Sequence, residues 1–303
     1  MDRREFIREA LLWSAGLSLA GSRLPGAGEA FAEEGAPVVA MAEGANYAEL
    51  VPRVLAPLGG MGAFVSPGDK VVIKPNMGWD RLPEHGANTH PVIVKALAEL
   101  ALAAGAARVL VFDRTCNEER RCYTRSGILA AIQSLDNEKA QVEYIDYRKF
   151  MPIEIEKGLA LTRAAIYRDV LEADTYINVP VAKHHGLSGL TLGLKNSMGV
   201  LGGNRGKMHQ NIGQKLADLA TVVRPKLTFI DATRLLLRNG PQGGSLQDVK
   251  IRNAVLASAD PVAVDAYATT LFGLKPEEIE STVAAYKMGL GEMNLDRIRL
   301  IAA

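Results

Sequence analysis

The chain is poor in cysteine, and neither sign of charge is in excess. Only two of its 303 residues are cysteine, which excludes a disulfide-stapled scaffold and leaves too few thiolates for the four ligands of an ordinary iron–sulfur cluster. Any such cluster would need ligands from another subunit or from other residue types. Lys and Arg number 35 against 34 Asp and Glu, a net charge of +1, so we expect neither nucleic acid nor an anionic membrane as partner.

Several catalytic signatures are also missing. The strand predicted at 108–113 ends in Asp113 and is followed by Arg114-Thr115-Cys116, where a dinucleotide-binding turn would have glycines. Gly206-Lys207 is similar to the end of a P-loop, but Leu201 and Met208 stand where the first glycine and the magnesium-binding hydroxyl belong. A metalloprotease His-Glu-x-x-His helix and a Gly-x-Ser-x-Gly elbow are absent. The sequence therefore favours neither nicotinamide nor nucleoside triphosphate chemistry.

Residues 1–32 have the three parts of an export signal. Arg3 and Arg4 lie in a charged head with Phe6 close behind, an apolar stretch covers 10–20, and Ala30-Phe31-Ala32 fits an A-x-A cleavage site. The paired arginines favour the twin-arginine export machinery, a periplasmic location and cleavage after Ala32; a Sec signal or an uncleaved anchor are the alternatives. The apolar stretch is too short to span a bilayer comfortably, so no stable membrane span is expected after cleavage.

Residues 33–303 alternate short apolar runs with helical patterns. Strands are predicted at 37–41, 70–74, 108–113, 142–146, 175–179, 227–231 and 254–258, and helices at 47–58, 91–104, 124–135, 164–172, 210–223 and 261–271. This alternation is typical of parallel β-α-β units, so we expect a single α/β domain whose mostly parallel sheet has helices on both faces. The stretch 183–207 interrupts it, with seven glycines from Gly186 to Gly206, and predicts a functional loop or a small inserted subdomain.

Polar residues follow the predicted strands at their carboxyl ends, where open α/β sheets bind ligands. Glycines after the strand at 175–179 let backbone amides converge on an oxyanion, and nearby lysines and amides offer charge and donors to a carboxylate or phosphate. We therefore expect a small anionic ligand. The candidate ligand- or cofactor-binding residues are Lys74, Asn76, Lys183, Thr191 and Asn196; for Lys74, a solvated charge at a strand end is the alternative.

Two further residues, Lys195 and Asp265, are candidates for catalysis. Asp260 before Pro261 is typical of a helix N-cap, and Asp265 lies about 140° further round that helix, so the two carboxylates do not form an acid/base pair. Asp265 would be a carboxylate near the core that needs a partner, either Lys195 or a metal. Lys195 follows the apolar run 189–194 and needs in turn either a bound anion or Asp265.

Cysteine and histidine supply the candidate metal ligands, Cys116, Cys122 and His184. The two cysteines flank basic residues that favour a thiolate, which suits metal ligation, but a disulfide in an oxidising compartment and free thiols stay open. Adjacent His184 and His185 would point to opposite faces of a strand, so at most one could meet a given metal, and a structural imidazole is the alternative. Two subunits of a homodimer could together complete one cluster.

Four ordered motifs carry a family resemblance: Lys74-Pro75-Asn76, the stretch 183–199 with Lys195-Asn196, the segment 231–244 with Gly240-Pro241, and the run from Ser258 to Ala266. Together they resemble the family called domain of unknown function 362, in its stand-alone form without a ferredoxin module. The resemblance covers about 70–273. It implies an α/β domain, an association with iron–sulfur proteins, and no settled reaction.

These observations predict an exported, redox-associated protein of unidentified reaction. It would bind a small anionic ligand at the strand ends, and an iron–sulfur cluster or another metal is the candidate cofactor. A non-catalytic periplasmic ligand-binding module, or a maturation partner of a redox complex, is the alternative.

Overall fold

A ten-stranded sheet and a separate hairpin organise the chain. The computed structural model describes residues 35–303, so the predicted export signal at 1–32 lies outside the described residues. In chain order the strands are β1 (Val38–Glu43), β2 (Lys70–Pro75), β3 (Arg108–Val111), β4 (Ala140–Val142), β5 (Phe150–Glu154), β6 (Arg163–Tyr167), β7 (Thr175–Val179), β8 (Val181–His185), β9 (Gly189–Thr191), β10 (Leu227–Leu236), β11 (Val249–Ser258) and β12 (Arg299–Ala302).

The helices of the described residues pack on this sheet or connect its strands. They are α1 (Tyr47–Leu55), α2 (Pro91–Ala103), α3 (Glu119–Arg125), α4 (Ile128–Gln133), α5 (Arg168–Leu171), α6 (Gly193–Asn196), α7 (Ile212–Ala220), α8 (Pro261–Thr270) and α9 (Glu280–Lys287). Within residues 35–303, none is long and apolar enough to cross a bilayer.

The large sheet is mostly parallel, as the alternating pattern predicts. Its main path runs β12-β1-β11-β10-β7-β2-β3-β4, with β8 beside the second half of β10 and β9 beside β8. Within it, β11 is antiparallel to both of its neighbours and β9 to β8, while the other pairs are parallel. The predicted α/β class is confirmed.

Alternation along β2 explains why helices cover both faces. Val71 and Ile73 pack in the core that contains α1 and α2, while Val72 between them packs in the core that contains α7. Successive side chains of a strand point to opposite faces. A strand whose side chains are buried on both faces of the sheet therefore needs a layer of helices against each face.

The predicted helix at 164–172 is wrong over its first half. Residues 163–167 form β6, which pairs antiparallel with β5 as a two-stranded sheet outside the large one, and helix begins only at Arg168. The short run Ala164-Ala165-Ile166-Tyr167 fits both a helical and an extended pattern, and its cross-strand partners decide for strand.

The Gly-rich segment is a set of tight elements between β7 and α7. Pro180 separates β7 from β8. The chain then folds back from β8 into β9 and continues through α6 into a 3₁₀ turn at Ser197–Val200. A second 3₁₀ turn, Arg205–His209, precedes α7. This arrangement brings the segment over the carboxyl ends of β2 and β3.

Candidate functional site

A pocket of about 620 Å³ opens where β2, β3 and β8 end, beneath the Gly-rich segment. Because parallel strands end at the same edge, side chains far apart in sequence meet there. Its charged and titratable lining residues are Lys74, Asp113, Arg114, Cys116, Lys183, His185, Lys195, Arg205 and His209. Among the described residues that line it, Asp113 is the only carboxylate.

Lys74 and Asp113 form a buried ion pair in the floor. Lys74 Nζ lies 2.8 Å from Asp113 Oδ1 and also donates to Asn196 Oδ1 at 3.0 Å and to Pro75 O at 2.8 Å. Burial lowers the pKa of Lys74, and the carboxylate opposes that shift. All three ammonium hydrogens have acceptors. Lys74 thus lies in the pocket lining, and contacts within the protein engage its ammonium.

Asn196 ties the strand ends together. Its Oδ1 accepts from Lys74 Nζ and from Asn76 Nδ2, at 3.0 Å each, and its Nδ2 donates to Asn178 Oδ1 at 2.8 Å. Thr89 fixes Asn76 from the other side, because its hydroxyl accepts from Asn76 N at 2.8 Å and donates to Val179 O at 2.7 Å. Asn76 and Asn196 thus lie in the pocket as expected, but Asn196 has its amide fully engaged within the protein.

Lys183 is a buried lysine with two acceptors. Its Nζ donates to Asn76 Oδ1 at 3.0 Å and to Ala87 O. Burial, together with the charges of Lys195 and Lys74, lowers the pKa of Lys183 to about 7. One ammonium hydrogen remains for a ligand.

Lys195 is the pocket lysine without a partner among the described residues. It is half-buried on α6, and no carboxylate or hydrogen-bond acceptor of residues 35–303 contacts its Nζ. Burial lowers the pKa of Lys195 to about 8, and the nearby Arg205 and Lys74 charges act in the same direction. The side chain is thus placed for a ligand from the pocket.

Of the alternatives left open for Lys195 and Asp265, a pairing of the two with each other is wrong. Asp265 lies outside the pocket lining and accepts from the backbone amides of Gly193 and Leu194, at 2.7 and 2.9 Å. These amides open α6 and have no acceptor within that helix, so the carboxylate satisfies them from α8. Burial raises the pKa of Asp265 to about 7 although both hydrogen bonds oppose the shift. Asp265 therefore holds the turn that carries Lys195, and it does not line the pocket.

Thr191 contributes an unused hydroxyl. Its side chain is 3% exposed, lines the pocket and has no hydrogen-bond partner at Oγ1. On β9 it stands opposite Lys183 of β8. A buried hydroxyl without a partner is costly, and a ligand in the pocket would relieve that cost.

The two cysteines are free thiols in different surroundings. Cys116 is exposed and lines the pocket, where Arg205 Nη2 lies 3.8 Å from its Sγ. Cys122 is buried, donates to Gly78 O at 3.5 Å, and burial raises its pKa to about 11. The disulfide alternative is not realised in the structure. A thiol with a raised pKa is also a poor metal ligand, because the ligand form is the thiolate.

His184 and His185 point to opposite faces, as the strand alternation predicts. His184 does not line the pocket, and its Nδ1 accepts from Gly240 N at 3.1 Å. His185 lines it, stacks on His209 with ring centroids 5.8 Å apart, and accepts from Leu187 N at 3.1 Å. Burial and the surrounding cations lower the pKa of His185 to about 3, so this ring is neutral.

The predicted metal set is therefore not assembled. Within residues 35–303, no three His, Cys, Asp or Glu side chains come together as a metal site requires. Cys116 is in the pocket, Cys122 is buried as a thiol, and His184 is turned away. These donors do not fit an iron–sulfur cluster held within one chain.

Two arginines that the sequence analysis does not identify as site residues, Arg114 and Arg205, also line the pocket. Arg205 donates to Arg114 O at 2.7 Å and to Thr115 O at 2.6 Å, and Arg114 in turn donates to Leu201 O at 2.7 Å and Gly203 O at 2.9 Å. Arg114 directly follows Asp113 at the end of a predicted strand, and a position at a strand end is also the reason why Lys74 is a candidate. For Arg205 and His209 the sequence offers only their place in or beside the Gly-rich segment.

Comparison with known proteins assigns the chain to a family. The model of the domain of unknown function (DUF362) matches residues 71–270. A thylakoid-associated protein of Synechocystis is 31% identical over 245 residues, which cover 78% of this chain and 73% of that protein. Among solved structures, the lactate racemase apoprotein of Thermoanaerobacterium thermosaccharolyticum has a TM-score of 0.46 at 12% identity, and a Thermotoga maritima protein has 0.43 at 12%. The matched parts cover 75% of this chain in both cases but only 57% and 59% of those two proteins. The family match confirms the resemblance in the sequence motifs: the chain belongs to the family that shares the domain of unknown function 362.

Proposed function

We propose that the pocket binds a small molecule that carries a carboxylate or phosphate group. The observation that carries this proposal is the excess of positive charge at the strand ends. Arg114, Lys183, Lys195 and Arg205 line the pocket, while its one carboxylate is already paired with Lys74. Like charges brought together out of water are unfavourable, and a bound anion offsets that cost.

The dimensions fit a metabolite-sized guest. A volume of about 620 Å³ lies within the range of roughly 300 to 1,000 Å³ usual for small-molecule sites. Thr191 and Asn76 add neutral donors to the cations, because each keeps a hydrogen without an acceptor inside the protein. Such a mixture orients a guest with more than one polar group.

Titration calorimetry with inorganic phosphate and with pyruvate tests the proposal. Lys195→Met keeps the aliphatic stem and removes the charge, so we expect it to weaken anion binding by roughly 1.5 to 3 kcal/mol, the value of a hydrogen bond to a charged group. Lys207→Met is the matched control, because Lys207 is exposed and does not line the pocket. Equal affinity in wild type and Lys195→Met, or no anion binding by wild type, would contradict the proposal.

The cellular place of this activity is part of the proposal. We infer that the protein acts in the periplasm after twin-arginine export, on the grounds of Arg3, Arg4 and the Ala30-Phe31-Ala32 cleavage pattern. The redox association implied by the family resemblance gains no support from the donor set, since Cys116 is the only thiol that the pocket offers. The chemistry proposed for the pocket therefore involves the lysines.

A further inference from the structure

We propose that Lys195 is a nucleophilic amine that forms an imine with the carbonyl carbon of a small oxo acid. This inference rests on the proposed function, because the pocket cations must hold the carboxylate of the acid beside the amine. It adds a reaction and a substrate class to what binding alone would require.

The contacts of the three pocket lysines single out Lys195. Lys74 Nζ has three acceptors and Lys183 Nζ has two. Each of those acceptors holds its nitrogen in place, so Lys183 cannot turn towards a guest although its pKa is lowered as well. Lys195 Nζ has no acceptor within the described part of the chain, so its nitrogen can lose a proton and turn its lone pair towards a guest.

The surroundings of Lys195 favour the neutral amine. The charged and titratable groups that face Lys195 are Arg205, Lys74, Asp113 and Cys116. The charge of Lys195 in turn lowers the pKa values of Lys183, His185 and His209. Most of these are cations or neutral rings, and the carboxylate of Asp113 is already paired. A lysine that is half-buried among cations loses its proton more readily than one in water, which is how enzymes activate amine nucleophiles.

The remaining polar groups suit the other atoms of an oxo acid. Arg205 Nη2 donates to Thr115 O and to Cys116 Sγ, whereas Nη1 donates only to Arg114 O, so Nη1 keeps a second N–H for a carboxylate. Thr191 Oγ1 is buried, unpartnered and in the same pocket. Its hydroxyl can pass a proton to the carbonyl oxygen while that oxygen leaves.

The step balances without a co-reactant. The lone pair of the neutral Lys195 amine attacks the carbonyl carbon, and the π electrons move to the oxygen, which takes up a proton and becomes a hydroxyl. The attached nitrogen, which is now cationic, gives up a proton, and the lone pair that it regains expels the hydroxyl, which takes a second proton and leaves as water. Counted from the ammonium, two of its three protons leave in the water and one stays on the C=N nitrogen.

Reductive trapping tests the inference. The full chain is incubated with pyruvate and sodium cyanoborohydride, which reduces an imine to a stable secondary amine, and the modified lysine is located by peptide mass mapping. We expect the adduct at Lys195 and at least about tenfold less adduct in Lys195→Arg, because a guanidinium stays protonated and is not a nucleophile. Lys207→Arg is the matched control, since Lys207 is exposed outside the pocket, and it should leave the adduct at Lys195 unchanged.

Two readouts separate this inference from the proposed function. Inorganic phosphate has no carbonyl carbon, so its calorimetric affinity for wild type measures anion binding alone, whereas the pyruvate adduct measures the reaction of the amine. The trapping rate of wild type should rise through about pH 8 as Lys195 loses its proton. Wild type that binds pyruvate but gives no adduct at Lys195, or gives it equally at Lys207, overturns the inference alone. Wild type that binds neither pyruvate nor phosphate overturns the proposed function together with it.

Discussion

Removing the charge of Lys74 should cost far more stability than removing that of a surface lysine. Lys74 and Asp113 are 1% and 4% exposed, with 2.8 Å between Nζ and Oδ1. In Lys74→Met the Asp113 carboxylate stays buried and keeps the amide of Met77 at Oδ2, but its other oxygen loses its cation. Breaking a buried pair on one side costs about 3 to 5 kcal/mol. Asn196 Oδ1 adds little to this cost, because it still accepts from Asn76.

Urea denaturation and thermal melting measure this cost. Lys95→Met is the matched control, since half-buried Lys95 and exposed Glu99 lie 3.9 Å apart at the surface and such a pair is worth at most about 0.5 kcal/mol. At roughly 2 to 3 °C per kcal/mol for a domain of this size, Lys74→Met should melt about 6 to 15 °C below wild type. Combining it with Asp113→Asn should restore part of the loss, because the unpaired charge is gone and the two effects are not additive.

One result would refute this reasoning. If Lys74→Met unfolds within about 1 kcal/mol of Lys95→Met, the ion pair does not hold the floor of the pocket. Lys74 would then be available for the ligand contact that its place at a strand end first suggests. An unchanged melt together with a lost affinity for phosphate would establish that role directly.

Four shorter predictions follow from the same contacts. A thiol reagent should label Cys116 in the folded protein and Cys122 only after unfolding, and labelling at equal rates would contradict the burial of Cys122. Anion affinity by calorimetry should fall as the pH rises through about 7 to 8, because Lys183 and Lys195, whose pKa values are lowered to about 7 and about 8, lose their charge there; an affinity independent of pH would contradict it. Asp265→Asn should cost about 1 to 3 kcal/mol in melts, since an amide offers one acceptor where two backbone donors point, and an unchanged melt would count against the assigned role. Replacing Arg3 and Arg4 by Lys should leave an uncleaved precursor in the cytoplasm by immunoblot, whereas processed periplasmic protein would exclude the twin-arginine route.

The local pattern of apolar residues was enough to predict the strands at the centre of the sheet. The predicted strand at 175–179 has the bounds of β7, and all of its side chains are buried, so its apolar run and the residues that end it leave one interpretation. The hairpin of β5 and β6 was not predictable in this way, because most of its residues are exposed or half-buried and their pairing partners decide the structure. The same limit applies to Asp265. Its burial could be predicted, but the two backbone amides that it accepts from lie more than seventy residues earlier in the chain.

The lysines of the pocket show where inference from sequence ends. In the sequence, each of the three lysines stands at a strand end or near glycines, and this position predicts anion binding for Lys74, Lys183 and Lys195 alike. What separates them is the number of acceptors around each nitrogen, and these come from distant segments such as Asp113 and Ala87. A lysine that is held by a carboxylate, an amide and a carbonyl keeps its proton and its place, whereas one without acceptors can change both. The sequence names Lys195 as a candidate together with Asp265, and only the tertiary contacts show that, of the three lysines, Lys195 is the one whose nitrogen has no acceptor among the described residues.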